Sequence, residues 1–363
     1  MDLAQIALKY GHELLKNRLT PPLLPQQKKA LKAIIECRTP ECGQMAVLCP
    51  DCGLIQTRYH SCGNRHCPKC QNHDTSKWLQ RQKKKLLPVD YFLVTFTIPA
   101  QLRQLFWMNQ KQLYKLLFDT SSSTLKEIAA DPKYLGGEIG MTGVLHTHSR
   151  RLGFHPHIHY IVPAGALLSK KKLWKQSSSK YLAPEKKLNR LFRGKLLSHL
   201  KELKHSFSKK LYKIDWVVDS QSAGRGEGAL KYLARYLYRG VIAEKNILSD
   251  INGQITFAYI EGDTNERKTR TLAGADFLRL VLQHVLPKGF RRSRDYGFLH
   301  GNSKKTFRLL QLILHPKNNT DVEVSRATFT CPNCKEPMII LFTRYGYRSF
   351  EHNIRGSPRL KTA

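Results

Sequence analysis

The placement of nine cysteines limits this 363-residue chain more than any other feature. Seven lie between Cys37 and Cys70, and the other two form a late pair, Cys331 and Cys334. An exported chain would spend such residues on disulfides. The opening residues MDLAQIALKYGHELL carry no signal-peptide pattern, and no apolar run reaches membrane-spanning length. A cytoplasmic location beside the bacterial nucleoid is therefore expected, and there Cys-x-x-Cys pairs hold zinc more often than they oxidise. Cys49-Pro-Asp-Cys52 and Cys67-Pro-Lys-Cys70 read as two knuckles. Four thiolates presented in this way satisfy one tetrahedral Zn2+ of the closed, structural kind. Cys37, Cys62 and His66 are further candidates, either for a second ion or as buried groups, and Cys42 reads as a small buried hydrophobe. Cys331-Pro-Asn-Cys334 is half a zinc site with no evident partner, so zinc and no zinc both stay open there.

Charge points to the partner. Lys and Arg total 61 against 27 acids, a formal net charge of +34. An excess of this size favours a polyanion, and nucleic acid is the commonest. No basic amphipathic stretch has a clean lipid face, so DNA is expected as the partner and a membrane is not. Arg65 and Lys69 flank the cysteines as candidate DNA contacts, with Arg235 and Arg239 further along. Tyr91, Phe92, Trp107 and Trp174 could stack on bases, although a core role suits each of them as well.

Three regions are expected: a zinc-binding DNA-recognition domain over 1–87, a catalytic domain over 88–245, and a C-terminal region over 246–363 ending in the Cys-x-x-Cys tail. The first opens with helical patterning. The second opens with the strand-like YFLVTFTIP, then a helix near 101–118 and a connection rich in Ser and Gly. IGMTGVLHTHSR and HPHIHYIVPAGAL read as a hairpin, and DWVVDS as a further strand. About 165–210 reads as a basic insertion, part loop and part helix, and as a candidate groove for a DNA backbone. In the third region QITFAYI reads as a strand and ADFLRLVLQHVL as a helix.

Two clusters carry chemistry. Alternate residues of a strand share a face, so His157 and His159 present two imidazoles together, half of a divalent-metal site. His146, across the proposed hairpin, is the favoured third ligand, with His148 and Gln221 as alternatives. Tyr232 and Tyr236 stack one turn apart on a helix preceded by the flexible GRGEG. A phenol is a poor nucleophile near neutral pH. An ion polarising a phosphate would help it, so the histidines and the tyrosine helix form one coherent site.

ECRTPECGQMAVLCPDCG…YHSCGNRHCPKCQ, LHTHSRRLGFHPHIHYIVPAGAL, YLARYLYR and VLPKGFRRSRDYGFL together resemble the HUH-type transposases of bacterial insertion sequences, of the IS-ninety-one kind. The resemblance covers nearly the whole chain. It implies an α+β fold: a helical, zinc-ribbon-like N-terminal domain, then an HUH endonuclease core with a central antiparallel sheet and flanking helices. His157-Ile158-His159 would be the HUH motif, and Mg2+ or Mn2+ the ion it holds. Tyr232, Tyr236 or both would attack single-stranded or melted DNA, giving a 5′-phosphotyrosine and a free 3′-hydroxyl in a rolling-circle-like reaction. Two departures stand out: Cys42 occupies a place expected for a small apolar residue or Gly, and GVIAEKNI follows the tyrosine helix where many relatives carry Ser-Asn. The competing readings are a non-catalytic zinc-ribbon DNA binder and a plasmid-type replication initiator. The first has no need of HPHIH together with YLARY, and for the second no GxxxxGK[ST] motif is present.

Overall fold

A computed structural model describes residues 2–16, 21–70, 72–238, 242–261, 264–314 and 329–346, excluding the side chains of 72–74 and 235–238. In chain order come α1 (Leu3–Lys16), α2 (Pro25–Ile35), β1 (Gly43–Leu48), β2 (Ile55–Tyr59) and α3 (Asn72–Lys83). The middle of the chain gives β3 (Tyr91–Thr97), α4 (Arg103–Met108), α5 (Gln110–Ala130), β4 (Met141–His148) and β5 (Phe154–Pro163). Then follow β6 (Gly165–Leu168), β7 (Leu173–Gln176), α6 (Glu185–Glu202), β8 (Val218–Ser222) and α7 (Glu227–Tyr238). The last part supplies β9 (Ile247–Ile251), β10 (Gln254–Ile260), β11 (Arg267–Ala273), α8 (Gly274–Gln283) and β12 (Ser293–Tyr296), then α9 (Lys304–Leu314), β13 (Phe329–Thr330) and β14 (Pro337–Tyr345). The fold is α+β with antiparallel sheets. Among the described residues no helix is long and apolar enough to cross a membrane.

The chain divides into two compact units, and the division does not follow three consecutive regions. One unit gathers Met1–Ser76, Tyr238–Val285 and Glu323–Ala363; the other is Lys77–Leu237 with Leu286–Val322. Strand pairing explains the regrouping. The late strand β14 pairs with β1, and β12 pairs with β4, so each returns to an earlier part of the chain.

The second unit is built on a five-stranded antiparallel sheet in the order β12-β4-β5-β3-β8. Alternation sorts its faces. Phe92, Val94 and Phe96 of β3, Leu145 of β4 and Ile158, Tyr160 and Val162 of β5 enter one core with α5 and α6. His146, His157 and His159 alternate with these residues and so belong to the opposite face.

Two expectations change here. The serine-rich stretch is not a connection but the middle of the 21-residue α5. Its hydroxyls bond back to carbonyls one turn earlier: Thr120 to Leu116, Ser121 to Leu117 and Thr124 to Thr120. These bonds satisfy the hydroxyls and let them lie buried inside a helix. The expected basic insertion is in part core. Leu188, Phe192, Leu196, Leu197 and Leu200 of α6 are fully buried, with Phe192 edge-on to Phe96 at 4.9 Å. Lys186, Lys187 and Lys201 of this helix are exposed, whereas Lys195 is half-buried and paired with Glu127 at 2.7 Å.

In the first unit, β9, β10 and β11 form a three-stranded sheet that packs against α8, and α8 packs in turn against α1 and α2. Only its central strand was expected from sequence. Asp250 of β9 accepts from the Tyr10 hydroxyl at 2.6 Å and from Lys9 at 2.7 Å, tying the sheet to α1. The unit's other sheet runs β13-β14-β1-β2.

Candidate metal and tyrosine centre

Register sets the geometry of the histidines. On β4 and β5, His146 stands directly opposite His157, and Val144 opposite His159. The ring of His146 lies 5.1 Å from that of His157 and 4.5 Å from that of His159, and the two β5 rings are 4.9 Å apart. Each offers one nitrogen to a group in which all ligand atoms fall within 4.8 Å of one another. His148 does not join them. A register shift between His146 and His148 turns it toward Phe154, with ring centroids 5.3 Å apart. Gln221 lies exposed on β8 opposite Leu93, also outside the group.

Hydrogen bonds orient two of the rings. His157 Nδ1 lies 2.7 Å from the His155 carbonyl, which can only accept. Nδ1 therefore carries the proton, and Nε2 keeps its lone pair for an ion. His159 Nδ1 contacts the Thr95 hydroxyl at 2.8 Å across the β3–β5 pairing, and a hydroxyl that accepts there leaves Nε2 with its lone pair. Burial pushes the His157 ring down to about 4 and that of His159 to about 3. His146 sits well below its ordinary 6.5, first through burial and then through His159, His157 and Arg292. Three neutral imidazoles with converging lone pairs fit a divalent ion, and they suit Mn2+ better than Mg2+, which prefers oxygen ligands.

Tyr232 on α7 completes the cluster. Its ring is 5.9 Å from His159 and 6.4 Å from His146. The start of α7 is set by a turn that reads as merely flexible in the sequence. Tyr91 donates its N–H to Gly224 and accepts from Ala223, both at 2.7 Å. Gly226 has φ +80°, and a Cβ there would fall 2.8 Å from the Tyr91 ring, so only glycine suits the position. Glu227, in the first turn, pairs with Lys83 at 2.6 Å and Lys231 at 3.2 Å. The side chains of Tyr236 and Arg235, and all of Arg239, lie outside the described residues.

The cysteines are sorted differently from the expectation. Cys49 and Cys52 do not meet Cys67 and Cys70. One group is Cys37, Cys62, Cys67 and Cys70; the other is Cys49, Cys52, Cys331 and Cys334, each with its sulfurs within 4.8 Å of one another. The cause is strand pairing. The Cys49 turn ends β1, and β14 lies beside β1, bringing the Cys331 turn alongside. The loop after β2 instead returns to the end of α2, where Arg38 donates to the Lys69 carbonyl at 3.1 Å and its N–H to the His60 carbonyl at 3.2 Å. His66 stays outside both groups, its N–H donating to Asn64 at 2.9 Å. Cys42 is buried, with its thiol 3.1 Å from the Glu36 carbonyl.

Comparison with known proteins decides the family. Residues 6–98 match the family described as "Transposase zinc-binding domain", and residues 140–306 the one described as "Putative transposase". The chain is 34% identical over 334 residues to "Putative transposase y4qJ" of Sinorhizobium fredii, covering 85% of this chain and 83% of that one. It is also 30% identical over 286 residues to the "Transposase for insertion sequence element IS801" of Pseudomonas savastanoi, covering 73% and 68%. The chain belongs to the IS91-like transposases, with an N-terminal zinc-binding domain. No solved structure matches it.

Within this transposase, the expected DNA contacts divide. Arg65 is exposed, whereas Lys69 is paired with Asp2 at 2.6 Å and so partly neutralised. Tyr91 and Phe92 are buried and unavailable for stacking on bases. Trp107 packs edge-on against Phe154 at 5.0 Å, and Trp174 against Phe298 at 6.1 Å. Sequence reasoning missed Thr95, which orients His159, and Arg292, whose charge acts on His146. The alternation of YFLVTFTIP carries a faint signal for Thr95, because it puts a threonine on the face away from the apolar core. Arg292 falls within VLPKGFRRSRDYGFL, but nothing local in that stretch ties it to His146.

Proposed function

We propose that this transposase is a tyrosine nuclease of the HUH type, cutting and rejoining single DNA strands through Tyr232. The observation that carries the reading is the convergence of three neutral imidazoles and one phenol on a single face of an antiparallel sheet. His146, His157 and His159 would hold a divalent ion, Mn2+ before Mg2+, which polarises the scissile phosphate when bound. Tyr232 Oη attacks phosphorus as the bond to the 3′-oxygen breaks. The strand keeps a 5′-phosphotyrosine, and the phenolic proton ends on the leaving 3′-hydroxyl. Because one phosphoester replaces another, that hydroxyl or one on a second strand can reverse the step and rejoin DNA. Thr95 and the His155 carbonyl hold two rings in orientation, and burial keeps all three unprotonated near neutral pH. Tyr236, one turn along α7, would act on a second strand. Arg65, Arg235, Arg239 and the exposed lysines of α6 are proposed phosphate contacts.

The test is a covalent adduct. A labelled single-stranded oligonucleotide carrying the element end is incubated with the protein and Mn2+ and resolved on a denaturing gel. Tyr232→Phe should remove most or all of the adduct, and the double change with Tyr236→Phe should abolish it. An adduct undiminished in the double variant overturns the nucleophile assignment.

A further inference from the structure

The cysteine group outside the matched N-terminal segment carries a new assignment. Cys331 and Cys334 lie beyond residues 6–98, and no comparison assigns them a role. Their turn repeats that of Cys49 and Cys52 bond for bond. The Cys49 N–H donates to the Leu54 carbonyl at 2.9 Å, and the Cys331 N–H to the Glu336 carbonyl at 2.9 Å, five residues on in each case. Gly53 N–H returns to the Cys49 carbonyl at 3.0 Å, and Lys335 N–H to the Cys331 carbonyl at 3.0 Å. The N–H two residues past each second cysteine, at Leu54 and at Glu336, donates to that cysteine's sulfur. The residue after each second cysteine is left-handed: Gly53 at φ +70° and Lys335 at φ +69°. The two turns thus share their backbone conformation as well as their hydrogen bonds.

The two turns face each other. Cys49 Sγ lies 3.3 Å from Cys334 Sγ, and Cys52 Sγ 3.6 Å from Cys331 Sγ. Sulfurs at the corners of a tetrahedron with bonds of about 2.3 Å stand roughly 3.8 Å apart. Cys49 and Cys331 are buried beside Val47 and Met338, whereas Cys52 and Cys334 are exposed. Four neutral thiols packed this closely have little reason to converge, but four thiolates around a dication do.

We infer that Cys49, Cys52, Cys331 and Cys334 bind a second structural Zn2+, distinct from the ion of Cys37, Cys62, Cys67 and Cys70, which closes a zinc ribbon from two turns nearly 280 residues apart. The ribbon fastens β14 to β1, and its exposed edge makes this ion the more accessible of the two to chelators and thiol reagents.

The test uses the full chain loaded with Co2+, whose thiolate charge-transfer absorption reports sulfur-bound ions and not an ion on the imidazoles. Wild type should saturate that band at two equivalents of sulfur-bound ion, counted from the band's amplitude rather than from total Co2+, which the imidazole site also takes up. Cys331→Ser with Cys334→Ser should saturate at one, and so should Cys62→Ser with Cys67→Ser. An unchanged band in the Cys331/Cys334 variant overturns the assignment. If that variant fails to fold, wild type decides alone: saturation at one equivalent refutes the second site, and saturation at two with all-sulfur coordination by X-ray absorption supports it.

Discussion

At His157 the proton's position matters as much as the ring's. The His155 carbonyl fixes it on Nδ1, and burial keeps a second proton off. That arrangement makes stability depend on pH. His157 is pushed down to about 4 in the fold, against 6.5 in an exposed chain. Between those values the unfolded chain takes up a proton that the folded one refuses. Stability is therefore complete above pH 6.5 and declines as pH falls toward 4. His159, pushed to about 3, acts in the same direction. Metal-free protein should lose on the order of a few kcal/mol between pH 7 and pH 4.5, read from urea melts. An ion that loads the site should restore much of the loss, and a midpoint indifferent to pH would contradict this account. The histidines were legible in sequence because two of the three are neighbours on one strand. Thr95 was not, because it reaches His159 only through a pairing that joins residues 64 apart in sequence.

Elements differ in how openly they declare themselves. β3, β4 and β5 were readable from β-branched and aromatic runs, since all three are buried. β11, Arg267–Ala273, was not: four of its seven residues are exposed and three are basic, so no apolar alternation marks it. β14 holds Ile339, Ile340, Leu341 and Phe342, yet its partner lies near residue 45, and nothing local foretells that pairing. The cysteine ligands were mispaired for the same reason, because strand register chooses between knuckles that look alike in sequence. α7 was legible as a helix, but its anchoring turn was not. Gly226 sets that anchor, combining a positive φ with contact to Tyr91. Gly226→Ala should destabilise the protein by about 1–3 kcal/mol and weaken adduct formation by displacing Tyr232. Thermal melts beside the gel assay would check it, and wild-type values in both would show that the turn does not position the helix.

For the whole molecule, charge was the plainest signal. A surplus of 34 positive charges has few uses besides a polyanion. Binding to single-stranded DNA should therefore weaken steeply with salt. A footprint of about six phosphates would lower affinity by roughly a few hundredfold between about 50 and 200 mM monovalent salt. Fluorescence anisotropy across that range would measure the slope, and a flat dependence would mean that the basic surface is not the DNA-binding face. Composition does not reveal how the chain is braided. One compact unit takes three separate stretches, and the other takes two.

The pairing of β1 with β14 has a consequence for synthesis. A ribosome finishes Gly43–Leu48 long before it reaches Pro337–Tyr345, so β1 waits with one edge bare through most of translation. A nascent or prematurely stopped chain would hold the first half of its ribbon and nothing to shut it. A gene copy broken upstream of that last strand would thus leave Cys49 and Cys52 without their partners, even with every residue of the histidine and tyrosine centre still encoded.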